Sequence, residues 1–282
     1  MRFSRCYLEI TNRCNLACSF CPKTKRPSRT LSPEEFRLLA GRLRPHTDHL
    51  YLHVMGEPLL HPQLPELLDI CRELSFRVVL TTNGTLLPAR QSALLHAPAL
   101  YKINISLHSF EANAQDSFAE YLSGCFSFAQ LARQAGKLVD LRLWNLDGET
   151  TRGQNAQNDQ ILSALESYFP QPWTKNTWGF RLRERVFVHY AEKFDWPELS
   201  LAEQSDRGTC RALRDQLAVL SDGTVVPCCL DHEGDIPLGN LFSQDLQEIL
   251  DNPTARALSG GFSARKLVHP LCRRCGYARR FR

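Results

Sequence analysis

Apolar and polar positions along the chain switch repeatedly between a strand-like period of two and a helix-like period near 3.6. Residues 6–10 (CYLEI) predict a first strand. Ser32-Pro33-Glu34-Glu35 then carries the marks of a helix start, with a serine cap, proline at the first helical position and glutamate at the third. Phe36, Leu38, Leu39 and Leu43 supply that helix with a buried face. The pattern continues with a strand over 49–54, a helix over 64–74, a β-branched strand over 77–82 ending at Asn83-Gly84, a helix over 86–96 and a strand over 101–107. A helix over 127–136 and a strand over 138–143 complete five units. The polar stretch 147–159 has turn composition and predicts an excursion, followed by a helix over 160–169 and a sixth strand over 180–188 (FRLRERVFV). Strands alternating with helices of this length place the chain in the α/β class, with a parallel sheet and right-handed crossovers. No internal repeat or low-complexity segment interrupts the pattern.

Near residue 205 the character changes. Cysteines become denser, helices shorten, and 216–220 with 224–227 flank Asp222-Gly223, a strong hairpin signal. The chain therefore divides into an α/β region, 1–204, and a small second unit, 205–282.

A length of 282 residues allows one sizeable core with such an appendage. No apolar run approaches the roughly twenty residues of a membrane span. The N-terminus runs directly into a strand pattern without the apolar stretch of a signal peptide, so a cytoplasmic location is expected. In that compartment eleven cysteines argue for metal ligation over disulfides. The net charge of +4 is mild. The basic cluster of Arg273, Arg274, Arg279, Arg280 and Arg282 reads either as a contact for an anionic partner or as a solvated tail.

The chemistry concentrates in Cys14, Cys18 and Cys21, a C-x₃-C-x₂-C triad in a loop after the first strand. Three thiolates so spaced can hold three irons of a cubane cluster and leave the fourth open. Zinc sites instead pair cysteines with a distant second pair, although the triad alone leaves zinc or simple redox use open. With Phe20 just before the third cysteine, the loop resembles that of the radical S-adenosylmethionine (SAM) superfamily. Met55-Gly56-Glu57-Pro58 resembles that family's Gly-Gly-Glu-Pro segment, with Met55 replacing the first glycine. The resemblance makes Gly56, Glu57 and Pro58 a cradle for the methionyl ammonium of SAM. Thr81-Thr82-Asn83-Gly84-Thr85 looks like the family's Thr-Asn-Gly turn, or else a simple turn needing a positive φ at Gly84. Ile105-Ser106-Leu107-His108-Ser109 is similar to its Ser-Leu-Asp segment, which would set Ser106 near SAM. His108 stands where aspartate is usual, either as a catalytic candidate or as a satisfied core histidine. Arg142 would meet the SAM carboxylate or reach solvent.

Cys210, Gly223 and Cys228 fit the C-x₉₋₁₅-G-x₄-C opening of the SPASM and Twitch accessory domains, and Cys272-Arg-Arg-Cys275 continues that likeness. A full SPASM domain has more cysteines, so the layout resembles the Twitch form of the radical SAM aminocyclitol dehydrogenase. It implies one auxiliary 4Fe-4S cluster on Cys210, Cys228, Cys272 and Cys275, with Cys229 an alternative to Cys228 and structural zinc an alternative to the cluster. Cys6, Cys71 and Cys125 read as ordinary buried thiols.

The resemblance implies a partial (β/α)₆ TIM-like barrel with a small C-terminal Twitch/SPASM-like domain. It further implies a SAM-binding 4Fe-4S cluster reduced by a one-electron donor of flavodoxin or ferredoxin type. SAM would then yield a 5′-deoxyadenosyl radical that abstracts a substrate hydrogen. An auxiliary cluster able to accept an electron makes net dehydrogenation of a small metabolite the leading expectation. A peptide- or protein-modifying maturase is the enzymatic alternative, and a metal-binding module touching RNA through the basic tail is the non-enzymatic one.

Overall fold

The computed structural model describes residues 2–113, 117–146 and 156–281. Its first half follows the expected alternation: β1 (Arg5–Leu8), α1 (Pro33–Leu43), β2 (His49–Tyr51), α2 (Leu64–Glu73), β3 (Arg77–Thr82), α3 (Leu87–His96), β4 (Leu100–Ser106), α4 (Phe118–Gln134) and β5 (Leu138–Leu146). α5 (Ala156–Tyr168), β6 (Thr174–Asn176), β7 (Gly179–Arg183) and β8 (Val186–Glu192) follow. The C-terminal part holds β9 (Gln216–Val219), β10 (Thr224–Val226), β11 (Gly239–Asn240), α6 (Leu246–Leu250), α7 (Pro253–Ser263) and α8 (Pro270–Arg273).

Local chemistry sets the helix starts. Ser32 caps α1 in a complete capping box with Glu35. Ser117 and Glu120 make the same box for α4, which starts well before the expected 127 because Tyr121, Leu122, Cys125 and Phe126 already line its buried face. Residues 147–155 of the expected excursion lie outside the described residues, and its last four belong to α5.

Six parallel strands form the partial barrel in the order β1-β2-β3-β4-β5-β8. The expected single sixth strand over 180–188 is a hairpin. β7 turns at Glu184-Arg185, where Arg185 has φ 65°, and β8 returns antiparallel to it before pairing parallel to β5. Phe180, Leu182, Val186 and Val188 keep a period of two across that turn, so the sequence pattern shows no break. The main core lies between the sheet and the helices, with Phe36, Phe126, Phe128 and Phe169 wholly buried. The expected Asp222-Gly223 hairpin is present as β9 and β10, with Gly223 at φ 85°. β9 pairs parallel with β1 from Arg5 to Leu8, so the C-terminal hairpin extends the barrel sheet. The expected division at residue 205 falls between β8 and β9.

Glu9, at the end of β1, ties these parts together and is fully buried. Its carboxylate accepts a bidentate pair from Arg26 at 2.7 and 2.8 Å, the Met55 amide at 3.1 Å, and the Ser221 amide and hydroxyl at 3.0 and 2.9 Å. Arg26 also donates to the His232 carbonyl at 2.8 Å. Glu9→Ala strands the Arg26 guanidinium and three further donors, so a loss of about 3–5 kcal/mol is expected in denaturant unfolding. A loss below about 1 kcal/mol would contradict this role.

Candidate functional site

The cysteine loop leaves β1 at the C-terminal edge of the barrel, where such folds carry their chemistry. Its base is closed by Asn12, which donates to the Pro27 carbonyl at 2.9 Å and accepts from the Arg29 amide at 2.8 Å. Within the loop the Cys21 amide donates to the Cys18 carbonyl at 3.2 Å. Glu111 accepts from the Ser19 amide and hydroxyl at 2.8 and 2.7 Å, anchoring the far side. Cys18 is buried, Cys21 half-buried and Cys14 exposed. Burial, then the neighbouring Cys14 and Cys21 sulfurs, push the Cys18 thiol up to about 12. Three thiols in one loop, whose thiolate forms would repel one another, are a donor set that fits a polynuclear cation, which removes their protons on binding.

The Gly56 turn seats this loop. Gly56 has φ 80°, and a Cβ there would lie 2.4 Å from the Thr11 carbonyl oxygen and 2.8 Å from that of Arg13. Its neighbour Glu57 donates its amide to the Arg13 carbonyl at 2.8 Å. The Glu57 carboxylate is fully buried and accepts from the amides of Asn83 at 2.7 Å and Leu59 at 3.0 Å, which joins the ends of β2 and β3. Burial pushes its carboxyl up to about 7, against the pull of those two bonds. Asn83 donates to Asn15 of the cysteine loop at 2.9 Å and accepts from Thr85 at 2.8 Å. Pro58 begins the short turn Pro58–Leu60 and is buried behind this motif.

At the end of β4, Ser106 begins a short 3₁₀ turn that carries His108. The His108 ring lies 4.7 Å from that of Phe20, and its Nδ1 stands 3.1 Å from the Arg142 carbonyl oxygen. Burial holds His108 down at about 4, so it is a neutral ring wedged between the cysteine loop and β5. Arg142 stacks on Trp144 with its guanidinium carbon 4.4 Å from the ring centre, and its Nε lies 3.3 Å from Asp140.

The second cysteine group sets the two adjacent thiols in different surroundings. Cys210, Cys228 and Cys272 pack against the main core. Cys228 is driven well above the usual thiol range by burial and then by Cys210, Cys229, Cys275 and Cys272. Cys229 belongs to a separate apolar cluster with Tyr7, Val54 and Trp196, and its thiol pairs with the Tyr7 hydroxyl. The pair lies in the bend and turn that follow β10, and Cys229 keeps Cys210 as well as Tyr7 among its neighbours. Among the described residues, no three His, Cys, Asp or Glu side chains gather closely enough to hold a single metal ion. A cubane spreads its thiolates more widely than one ion does.

Both thiol sets open on one cavity of about 500 Å³, which all the expected site residues line except Pro58. Sequence reading missed four more that shape it. His53, Lys102 and Asn104 line the cavity, and Asp140 pairs with Lys102 at 3.2 Å, Arg142 at 3.3 Å and His189 at 2.6 Å. Burial works against a charged Asp140, but His189, Arg142 and Lys102 hold its carboxyl well below the usual carboxylate range. The available signal was strand alternation: Lys102-Asn104-Ser106 and Asp140-Arg142 occupy the face opposite Ile103, Ile105, Val139 and Leu141.

Residues 8–144 match the family model of the radical SAM superfamily, and residues 210–276 match that of SPASM, the iron-sulfur cluster-binding domain. The chain belongs to the radical SAM superfamily, in its SPASM/Twitch branch. Its cofactors are a 4Fe-4S cluster with SAM and an auxiliary 4Fe-4S cluster. Among curated relatives, the antilisterial bacteriocin subtilosin biosynthesis protein AlbA of Bacillus subtilis is 25% identical over 96% of this chain and 64% of its own length. A GTP 3′,8-cyclase of Chlorobaculum tepidum is 29% identical over 56% of this chain and 48% of its own. The chain thus spans less than two thirds of the length of either relative. In fold it is similar to BtrN in complex with AdoMet and 2-DOIA, at TM-score 0.61, 18% identity and coverage of 98% of this chain and 93% of that one. It is also similar to Streptococcus suis SuiB bound to SAM, at TM-score 0.64, 18% identity and coverage of 98% and 72%. No helix of the described residues is long and apolar enough to cross a membrane.

Gly56→Ala forces a positive φ on a residue with a Cβ and drives that carbon into the cysteine loop. The variant is expected to keep most of its helix content by circular dichroism and to lose about half of its irons, those of the triad. Full iron content would show that the loop does not depend on this contact.

Proposed function

We propose that this protein cleaves SAM reductively and uses the resulting radical to dehydrogenate a small metabolite. When bound, the two clusters would supply the electron that splits SAM into methionine and a 5′-deoxyadenosyl radical, and an acceptor for the electron left on the substrate. The observation that carries this reading is the single cavity walled by both thiol sets. The chain's own residues would do the rest. Glu57 offers its remaining lone pairs to the methionyl ammonium, Arg142 offers its free guanidinium nitrogens to the SAM carboxylate, and Ser106 offers a hydroxyl beside them. Phe20, His108 and Trp144 wall this end with rings and exclude water, which a primary alkyl radical requires. A one-electron donor of flavodoxin or ferredoxin type is the partner implied.

The second reading is peptide modification. AlbA matches along nearly the whole chain, and SuiB, similar in fold, is a protein seen bound to its precursor peptide SuiA. Mass spectrometry separates the two: dehydrogenation removes two hydrogens from a metabolite and leaves every peptide unchanged.

After anaerobic reconstitution, the triple variant C14A/C18A/C21A is expected to keep about four irons and release no 5′-deoxyadenosine with dithionite. Cys272→Ala is expected to lose one cluster and still release 5′-deoxyadenosine, uncoupled from product. SAM cleavage by the triple variant would place the active cluster elsewhere.

Glu57→Ala should weaken SAM binding about tenfold or more with both clusters intact, since a charge-assisted contact is lost. Because burial raises the Glu57 carboxyl to about 7, it is neutral below that pH and anionic above it. SAM affinity is therefore expected to rise between about pH 6 and pH 8 in the native protein and to stay flatter in Glu57→Gln. Equilibrium dialysis reads both. Equal profiles would remove Glu57 from the SAM site.

A further inference from the structure

A closed α/β barrel normally fills its lumen with layers of branched apolar side chains. The partial barrel here has a polar inner wall instead. Strand register sets Thr81, Asn104, Asp140 and Phe187 side by side across β3, β4, β5 and β8. Ser106, Arg142 and His189 form the next row toward the cysteine loop. Lys102 lies one row deeper, opposite Val79, and its Nζ reaches Asp140 at 3.2 Å. Arg5, Lys102 and Arg142 thus face the cavity from the barrel strands, with Asp140 as the carboxylate among them. The wall carries excess positive charge.

Two atoms of this wall lack partners. Among the described residues, His53 Nδ1, Asn104 Oδ1 and Asp140 Oδ1 are buried with no hydrogen bond, but Asp140 Oδ1 has the His189 ring 2.6 Å away as an ion-pair partner, and the Asn104 amide donates to the Thr81 hydroxyl at 3.0 Å. Buried polar atoms are almost always satisfied, so unpartnered atoms on residues that line a cavity point to a ligand that completes them. Asn104 Oδ1 accepts only, and so calls for a donor such as a hydroxyl. Lys102 has two donors left beyond its bond to Asp140, and they call for an acceptor that is preferably anionic.

We propose that the substrate is a small hydroxylated oxyanion, with its carboxylate or phosphate seated on Lys102 and an adjoining hydroxyl donated to Asn104, deep in the lumen below the SAM end of the cavity. This rests on the small-metabolite reading above and narrows it. Arg142 is left for the SAM carboxylate, one row nearer the cysteine loop. His53 is kept neutral by burial and offers Nδ1 to a second hydroxyl.

The test is calorimetric titration of the anaerobically reconstituted, SAM-loaded protein with glycerol 3-phosphate, glycerate and glycerol. Binding of one or both anions about tenfold or more tighter than glycerol is expected, and the better anion identifies phosphate or carboxylate as the group. Lys102→Met should weaken that anion about tenfold. Should Lys102→Met fail to fold by near-ultraviolet circular dichroism, Asn104→Asp serves instead. It places a carboxylate in the same volume and should abolish anion binding. Glycerol binding as tightly as both anions, or anion affinity unchanged in the folded variant, would overturn the proposal. Release of 5′-deoxyadenosine without substrate, measured on the same preparation, reports the SAM-cleavage reading separately.

Discussion

One buried carboxylate holds the molecule's working parts in register. Glu9 ends the first barrel strand, and the donors it accepts come from three separate regions. Arg26 belongs to the arm that returns from the cysteine loop, Met55 opens the Gly-Glu-Pro turn, and Ser221 opens the hairpin of the C-terminal unit. Arg29, from the same returning arm, donates to the Ser221 carbonyl at 2.7 Å and doubles the link. A buried ion pair is weak support for stability in itself, because desolvation offsets much of its attraction. Its value here is geometric. A carboxylate with five donors arranged around it admits one arrangement of the elements that bring them.

That arrangement explains why two cysteine groups some two hundred residues apart in sequence face one cavity. The C-terminal hairpin joins β1 by parallel strand pairing, so the segments that carry Cys14, Cys18, Cys21 and Cys228 leave one continuous sheet. Hydrogen-bonded sheet leaves little room for relative motion, which suits the radical chemistry proposed above. The apolar pocket around Cys229, Tyr7 and Trp196 completes the wall between the two sets.

Much of this was legible in the sequence because it depends on local chemistry. The capping box at Ser32, the hairpin glycine at Gly223 and the spacing of Cys14, Cys18 and Cys21 act over a few residues and survive any tertiary context. The failures share the opposite cause. The β7–β8 hairpin hides in an unbroken alternation that turns on Arg185, a residue with no turn propensity to announce it. Cys228 and Cys229 lie in the turn after β10, and only the folded chain sets Cys228 among the other thiols and Cys229 against Tyr7. The polar lumen was written in β4 and β5 as Lys102, Asn104, Asp140 and Arg142, but such a face reads as polar-out until the strands are known to curve around a cavity.

The central claim is that these seven thiols, Cys14, Cys18, Cys21, Cys210, Cys228, Cys272 and Cys275, hold two clusters on one cavity. Iron and acid-labile sulfide analysis of anaerobically reconstituted protein tests it most directly. About eight irons and a matching amount of sulfide per chain are expected. About four irons with stoichiometric zinc would contradict it, leaving the C-terminal unit a structural metal site.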